Sequence, residues 1–241
     1  MNTRKIGSLQ HPLVKHLVKL REKRHYREEQ KSAFVLGRRM VQTIAPHTQL
    51  NRVVTLNEQT EFSAEEQLIV TPEILKKISG TPSPEPIAAE VALPKNQKIS
   101  GKLLLALDKI SDPGNLGTLI RTAYAFGADG VFLTEGSADP FNDKALRAAK
   151  GATFLIAIQQ GSLVELLELS KKIPTFIADL DGKQLTKPQT PALLILGNES
   201  HGPSSELASI GERITIPMRK EIDSLNVAIA GSILLHQLRS L

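Results

Sequence analysis

The feature that most limits what this chain can fold into is an alternation, after residue 100, of short apolar runs with helix-forming segments. Runs such as 103–107 (LLLAL) and 192–196 (ALLIL) are apolar throughout, which is typical of strands buried on both faces. Such strands separated by helices predict an α/β fold with a parallel sheet. The predicted strands are 103–107, 131–134, 154–158, 175–180, 192–196 and 214–217, and the predicted helices are 115–127, 142–150, 163–172, 203–210 and 224–240.

The first 80 residues predict a smaller α/β domain. An apolar stripe from Leu13 to Leu20 indicates a basic amphipathic helix that Ser8 would cap. The segment 71–80 (TPEILKKISG) has the threonine cap, the first-turn proline and the terminal glycine of a helix. Short strands are predicted at 34–36, 52–56 and 68–70, and a further helical stretch at 40–44.

Four prolines between residues 81 and 100 predict a linker, because proline at this density favours extended backbone. Within it, 87–93 (IAAEVAL) is a candidate short strand. We therefore expect a small domain at 1–80, a proline-rich linker at 81–100 and a larger domain at 101–241.

The net charge of +5 comes from the N-terminal end, where residues 1–40 hold eleven Lys and Arg against three Glu. This excess fits a module that contacts phosphates, and a solvated basic helix face fits it equally well. The chain has no cysteine, which excludes disulfides, thiolate metal sites and cysteine nucleophiles. The apolar runs are too short to span a bilayer and no secretory signal is evident, so we expect a soluble, cytoplasmic protein.

Three unusual loops follow predicted strands, namely 108–117 (DKISDPGNLG), 197–202 (GNESHG) and 217–226 (PMRKEIDSLN). Ligands of parallel sheets bind beyond the carboxyl ends of the strands, so these loops are the candidate site. The first loop lacks the G-x-G-x-x-G spacing, which disfavours a dinucleotide site. Arg121 is a candidate anion contact or an ordinary surface arginine, and Glu199 is a candidate site carboxylate or a helix cap.

The last predicted helix is apolar almost all round from residue 227 (VAIAGSILL), so we expect it to be buried or packed against another subunit. Ser224 is expected to cap it, with Leu225 and Asn226 in its first turn. An asparagine at such an apolar helix start requires a hydrogen-bond partner.

Together these segments resemble the signature motifs of the SpoU (TrmH-like) ribose methyltransferases of the SPOUT superfamily. The matching residues are Asp112-Pro-x-Asn115-x-Gly117 with Arg121, then Gly197-x-Glu199-x-x-Gly202, then Pro217-Met218 with Ser224-Leu225-Asn226. The N-terminal part is similar to the substrate-binding domain that often precedes this catalytic domain, although its F-x-x-E-G motif is FVLG at 34–37 and lacks the glutamate. Lys220 stands where the family commonly has a glycine after the methionine.

The resemblance implies a parallel α/β sheet with a deep trefoil knot at its C-terminal end, preceded by a small α/β substrate-binding domain, in a homodimer built on the knot. It implies S-adenosyl-L-methionine as the cofactor, in a site lined by Gly197, Ile216, Met218 and Leu225, and it implies no metal. The expected RNA contacts of the first domain are Lys15, Lys19, Arg24, Arg38 and Arg39.

The implied reaction is methyl transfer to a ribose 2′-hydroxyl of RNA. Arg121 is expected to stabilise the developing alkoxide or to hold the adjacent phosphate, since a guanidinium stays protonated in proteins. Asn115, Glu199, Ser224 and Asn226 are expected to orient the arginine, the cofactor or the ribose. We expect rRNA as the substrate, with tRNA, or a non-catalytic role in RNA binding or ribosome assembly, as the alternatives.

Overall fold

The structure is a computed structural model that describes residues 1–219 and 221–239, and the chain forms two compact units. The first unit consists of residues 1–95 and 141–146, and the second of residues 96–140 and the described residues from 147 onward. Lys220, which replaces the glycine common in the family, lies outside the described residues.

The first unit is a five-stranded mixed sheet with helices packed on it. Its elements are β1 (Asn2–Ile6), α1 (Pro12–Glu22), α2 (Arg24–Gln30), β2 (Ser32–Leu36), α3 (Arg38–Ile44), β3 (Leu50–Thr55), β4 (Glu66–Val70), α4 (Pro72–Ser79) and β5 (Ile87–Ala92). The strand order is β1-β4-β3-β5-β2, in which β1, β4 and β3 are parallel and β5 runs antiparallel to both of its neighbours. Leu17 and Leu20 of α1, Ile74 and Ile78 of α4 and Leu68 of β4 belong to one buried core cluster.

Two helices of this unit, α1 and α4, begin at a proline. The predicted helix at 71–80 is confirmed: the Oγ1 of Thr71 accepts a hydrogen bond from the N–H of Ile74, and Gly80 ends α4 at a φ of 67°. The prediction that Ser8 caps α1 is wrong, because that helix begins at Pro12 and His11 is its cap. Proline suits the first helical position and thereby sets the start of the helix.

Residues 87–92, expected within the linker, form β5 in the interior of the sheet, between β3 and β2. Ile87, Ala88, Ala89 and Val91 are each at most 3% exposed, so these small apolar residues form part of the core. The prolines at 82, 84 and 86 all precede the strand, and they therefore leave its ladder hydrogen bonds intact.

Two elements of the first unit carry no apolar pattern, and the sequence did not predict them. The edge strand β1 is exposed along its length apart from Ile6. The buried residue of α2 is Arg27, whose guanidinium donates to the carbonyls of Leu20 and Arg21 at the end of α1. Burial in α2 thus depends on capping a neighbouring helix rather than on an apolar stripe.

The second unit is a six-stranded parallel sheet, which confirms the predicted architecture. Its elements are β6 (Leu103–Leu107), α5 (Pro113–Ala125), β7 (Gly130–Thr134), the last three residues of α6 (Asp143–Ala149), whose first four belong to the first unit, a 3-10 turn (Ala152–Phe154), β8 (Ala157–Gly161), α7 (Leu163–Ser170), β9 (Thr175–Gln184), β10 (Ala192–Leu196), a 3-10 turn (Ser205–Leu207), β11 (Glu212–Thr215) and α8 (Val227–Leu238). The strand order is β11-β9-β10-β6-β7-β8, and every residue of β6 and β10 is buried. None of the helices in the described part of the chain has the length and hydropathy of a membrane span.

Two predicted elements of this unit differ in the structure. The predicted helix at 203–210 is only the 3-10 turn Ser205–Leu207, because three of its eight residues are serines, whose side chains compete for backbone hydrogen bonds and disfavour an α-helix. The strand predicted at 154–158 begins at Ala157, since Ala152–Phe154 forms the other 3-10 turn.

Candidate active site

The candidate site lies where the loops after β6 and β10 start side by side. These two strands are parallel neighbours, and Leu107 at the end of β6 is paired in register with Leu196 at the end of β10. The N–H of Asp108 donates to the carbonyl of Leu196 at 2.8 Å, so the pairing continues one residue into the first loop. The two predicted loops therefore share one edge of the sheet, as expected for the carboxyl ends of neighbouring parallel strands.

The N-terminus of α5 holds Asn115 at this edge. Asp112 is the cap of α5, and its Oδ1 accepts from the N–H of Asn115 at 2.8 Å. Pro113 occupies the first helical position, where its missing N–H costs nothing. The carboxamide of Asn115 is thereby left to make contacts outside its own helix.

Three side chains from three elements form a directed hydrogen-bond chain. The Nδ2 of Asn226 donates to the Oδ1 of Asn115 at 3.0 Å, and the Nδ2 of Asn115 donates to the Oε1 of Glu199 at 3.1 Å. The Oδ1 of Asn226 accepts from the N–H groups of Ala228 and Ile229 and so caps α8. The expected partner of Asn226 is thus Asn115, and each amide has one orientation that satisfies both of its neighbours.

The structure corrects the predicted role of Ser224. The last helix begins at Val227 with Asn226 as its cap, so neither residue 225 nor 226 lies in the first turn and Ser224 does not cap the helix. Asparagine and serine are comparable caps, and at this start the side chain of Asn226 reaches the free N–H groups. Ser224 instead lines the cavity described below.

The carboxylate of Glu199 is stabilised in its charged form. Partial burial acts to raise its pKa, but hydrogen bonds from Asn115 and from backbone N–H groups, including those of Ser111 and Asp112, outweigh this effect, and the pKa lies below its usual range. The N–H and the Oγ of Ser111 lie 3.5 and 3.4 Å from the Oε2 of Glu199. Glu199 is therefore an anion at neutral pH, and it is not a cap of a following helix.

A cavity of about 550 Å³ opens beside this chain of side chains. Its volume falls within the range of roughly 300–1,000 Å³ that small-molecule sites occupy. The predicted site residues that line it are Gly197, Glu199, Ile216, Met218, Ser224, Leu225 and Asn226. The structure thus brings residues of the second and third loops together around one cavity, and Asn115 of the first loop is joined to them by hydrogen bonds.

Gly197 shapes the floor of this cavity. A Cβ atom placed on it would lie 2.0 Å from the N of Pro203 and 2.2 Å from the carbonyl carbon of Gly202, closer than any side chain tolerates. The loop folds back here, and the N–H of Gly202 donates to the carbonyl of Asn198 at 2.9 Å. Glycine is required because two backbone segments touch at this point.

The remaining predicted residues are not part of the cavity lining. Arg121 is exposed on α5, six residues after Asn115, and does not line the cavity. The expected RNA contacts are all exposed on helices of the first unit: Lys15 and Lys19 on α1, Arg24 on α2, and Arg38 and Arg39 on α3. Arg24 pairs with Glu28 at 2.9 Å and Arg38 pairs with Glu61.

Asp108, which no sequence motif indicated, holds the second loop in place. Its side chain is 1% exposed, its Oδ1 accepts from the Oγ1 of Thr134 at 2.9 Å, and its Oδ2 accepts from the N–H of Ser204 at 2.7 Å. The one signal available in the sequence is an acidic residue directly after a wholly apolar strand, and that signal does not distinguish a buried carboxylate from an exposed one.

The fold and the site define an α/β protein that takes a small molecule at the carboxyl edge of a parallel sheet and carries a basic domain in front. Residues 102–236 match the model of the SpoU rRNA Methylase family, and residues 11–89 match the MRM3-like substrate binding domain. The chain belongs to the SpoU rRNA methylase family, as its motifs predicted.

Proteins of similar sequence and structure span the whole chain. The chain is 28% identical to the 23S rRNA (guanosine(2553)-2′-O)-methyltransferase RlmP of Bacillus subtilis, over 98% of its own length and 99% of that protein. An AdoMet-bound rRNA methyltransferase from Sinorhizobium meliloti superposes with a TM-score of 0.85 at 27% identity, over 98% of this chain and 97% of that one. A putative RNA methyltransferase of the TrmH family from Porphyromonas gingivalis superposes at 0.84 with 33% identity, over 96% and 98%.

Proposed function

We propose that this protein transfers a methyl group from S-adenosyl-L-methionine to a ribose 2′-hydroxyl of rRNA. The observation that carries the proposal is that the second and third motif segments of the family line one cavity, and that the directed chain Asn226–Asn115–Glu199 joins the first segment to them. RlmP, which matches the whole chain, supports an rRNA substrate and methylation at the ribose oxygen.

The residues around the cavity fit the cofactor. Ile216, Met218 and Leu225 offer apolar surface for an adenine ring, and Gly197 adds backbone atoms to the lining. When bound, S-adenosyl-L-methionine supplies a methyl group already activated on a sulfonium sulfur. The protein has only to bind the cofactor, align the hydroxyl and manage its proton.

We assign the alignment to the polar side chains at the rim. Asn115 is fixed by its two hydrogen bonds, and Glu199 keeps a negative charge at the mouth of the cavity. Ser224 lines the cavity and presents a hydroxyl that can donate to or accept from a ribose. These groups orient the cofactor or the ribose without a covalent intermediate.

Arg121 is assigned to the RNA. Its guanidinium is exposed on α5, where a phosphate of the substrate can reach it. A bidentate contact to that phosphate would hold the ribose in place and stabilise charge that develops on the 2′-oxygen.

We assign RNA capture to the first unit and methyl transfer to the second. The exposed residues Lys15, Lys19, Arg24, Arg38 and Arg39 supply cationic groups for phosphates. The match of residues 11–89 to a substrate binding domain supports this division. A cytoplasmic location, where rRNA is accessible, belongs to the same proposal.

A homodimer and a knotted second unit complete the proposal. Helices α5 and α8 pack side by side, with the Oγ1 of Thr122 3.1 Å from the Oγ of Ser232. On the same two helices, Tyr124 is 46% and Ile229 53% exposed, and burial of such side chains against a second copy would be favourable. A mass measurement by light scattering tests this, and a monomer at micromolar concentration would count against it.

The reaction is tested by incubating the protein with S-adenosyl-L-methionine and unmodified rRNA or tRNA transcripts, and by identifying methylated nucleosides by mass spectrometry. We expect a 2′-O-methyl nucleoside from rRNA, lost with Arg121→Ala and retained with Arg219→Ala, an exposed arginine on the third loop. A 2′-O-methyl product from tRNA alone would mean that tRNA and not rRNA is the substrate. A methylated base would overturn the proposed transfer to the ribose hydroxyl.

A further inference from the structure

The charged side chains that line the cavity of the second unit, within the described part of the chain, are all acidic. Asp179, Glu199 and Asp223 contribute three carboxylates, and among the described residues no Lys, Arg or His lines it. The chain as a whole has a net charge of +5, so the negative charge of the cavity is opposite in sign to that of the chain. A concave, partly apolar wall concentrates the field of such charges, and the cavity therefore favours a cation.

Asp179 contributes to this field from outside the three motif segments. It lies on β9 just beyond Ile177, the last residue of that strand paired with β10, and so stands at the edge of the sheet where Gly197 begins its loop. Its side chain is 22% exposed, and its Oδ1 accepts from the N–H of Asp181 at 2.9 Å. This backbone contact fixes the carboxylate at the wall of the cavity.

Arg213 neutralises Asp179 only in part. The Nη1 of Arg213 lies 3.5 Å from the Oδ2 of Asp179, whereas charge-assisted hydrogen bonds are about 2.7–2.9 Å long. Arg213 is half-exposed and does not line the cavity. Asp179 therefore retains charge that can act on a bound molecule.

The cofactor and the product that it leaves differ by one charge. S-adenosyl-L-methionine carries a positive sulfonium, whereas S-adenosyl-L-homocysteine is a neutral thioether, because the electron pair of the broken carbon–sulfur bond stays on the sulfur. The rest of the two molecules is the same. A negative cavity wall thus distinguishes them by the charge on sulfur alone.

We propose that the acidic wall makes this cavity selective for the charged cofactor over its neutral product, with Asp179 as a specificity-determining residue. The inference rests on the proposed function. Once the methyl group has been transferred, the attraction of the wall for the sulfur is lost, which favours exchange of product for new cofactor. At the effective dielectric of a protein surface, the attraction between these carboxylates and a sulfonium corresponds to a preference of roughly three- to tenfold.

The test measures binding of each compound to the full chain by calorimetry, without RNA, at low and high salt. We expect the wild type to bind S-adenosyl-L-methionine roughly three- to tenfold more tightly than S-adenosyl-L-homocysteine at low salt, and the ratio to shrink at high salt. Asp179→Asn should reduce the ratio by weakening cofactor binding. Asp181→Asn, on the same strand but outside the cavity lining, should leave it unchanged.

A second variant moves the ratio in the opposite direction. Arg213→Gln removes the cation beside Asp179 and should therefore widen the preference for the charged cofactor. If the ion pair served only to hold the fold together, its loss would weaken binding of both compounds equally. Equal weakening of both compounds by Asp179→Asn, or a wild-type ratio of one or less, would overturn the inference and leave the proposed function standing. Failure of the wild type to bind either compound would overturn the proposed function itself.

Discussion

At the scale of single residues, the site is organised by hydrogen-bond direction. Asn226 donates to Asn115, and Asn115 donates to Glu199, so the chain ends on the group that carries a negative charge. The motif resemblance predicted all three residues, but it did not predict this order. The order follows from amide geometry once the three loops meet, because each asparagine has one donor end and one acceptor end.

The hydrogen bonds to Glu199 make a contribution to stability that depends on pH. Its pKa in the folded protein lies below its value in the unfolded chain, so the contribution is complete above the usual pKa of about 4.3 and is lost as the pH falls through the lowered folded-state value. We expect wild type to be more stable than Glu199→Gln by a constant margin between about pH 6 and 8, and by a shrinking margin below about pH 4.

Urea unfolding of both proteins across this pH range measures the margin, with Glu212→Gln as the matched control, since that glutamate is exposed on β11. A margin that grows on acidification would mean that the charged form of Glu199 is not the one that the site stabilises.

At the scale of elements, the position of the last helix start decides what the site contains. The apolar pattern after residue 226 located α8, but pattern alone did not separate Ser224 from Asn226 as the cap, since both residue types serve. The distinction depends on a tertiary contact, because the Nδ2 of Asn226 finds its acceptor on Asn115 of α5. A cap of one helix is therefore also a link to the start of another.

Asn226→Ser separates the two roles of this cap. Serine retains an oxygen for the free N–H groups of α8 but lacks the donor that reaches Asn115. We expect the free energy of unfolding to fall by less than about 0.5 kcal/mol, whereas Asn226→Ala, which removes the cap as well, should cost about 1 kcal/mol. Both variants should reduce kcat at least about tenfold if the alignment of Asn115 governs transfer.

Thermal unfolding and single-turnover methyl transfer distinguish these outcomes. Ser224→Ala serves as the control for the helix start, because it should leave the free energy of unfolding unchanged. Full activity of Asn226→Ser would show that the contact with Asn115 has no part in the reaction.

The clamp between β6 and the second loop is the other element-scale feature. Asp108 accepts hydrogen bonds from Thr134 and from the backbone of Ser204, and the loop that it holds carries Gly197 and Glu199. In Asp108→Asn, the carboxamide oxygen can still accept from the N–H of Ser204, but the NH₂ group then faces Thr134, whose hydroxyl must turn from donor to acceptor. Two charge-assisted hydrogen bonds are replaced by neutral ones, at a cost of about 1 kcal/mol.

We expect Asp108→Asn to lower stability and to raise the KM for S-adenosyl-L-methionine, with a smaller effect on kcat. Saturating cofactor should then restore most of the rate. If only kcat fell, Asp108 would be acting on the position of the reacting groups and not on the loop that binds the cofactor. Asp129→Asn is the control, since that carboxylate accepts from two backbone N–H groups at the opposite end of β6.

At the scale of the whole molecule, the sequence predicted the parallel sheet of the second unit better than it predicted which strands pair and how the chain connects them. Apolar runs identified β6, β7 and β10 because their burial on both faces has a compositional signature. The strand β5 was expected in a linker, since its membership of the first sheet depends on partners far away in sequence. The trefoil knot stays a prediction from family resemblance, because knots are too rare for any pattern to indicate one.

The concentration of positive charge in the first unit leads to a prediction about RNA binding. Lys15 and Lys19 are exposed one turn apart on α1, with the Nζ of Lys19 5.3 Å from the centre of the Tyr26 ring. If both contact phosphates, the double variant with glutamine at each position should weaken RNA binding about three- to tenfold near 0.1 M salt and reduce the salt slope by about 1.5, since each contact contributes about 0.7–0.9. Binding of S-adenosyl-L-methionine to the second unit should be unchanged.

The matched control removes the same charge elsewhere. Lys171 and Lys172 are exposed after α7 in the second unit, and their replacement by glutamine also lowers the net charge by two. Filter binding of rRNA transcripts over a range of salt concentrations measures both slopes. Because counterion release counts only the phosphates that are contacted, the α1 variant should change the slope and the control should not. Equal losses in the two variants would mean that the RNA responds to net charge alone and that α1 is not its contact surface.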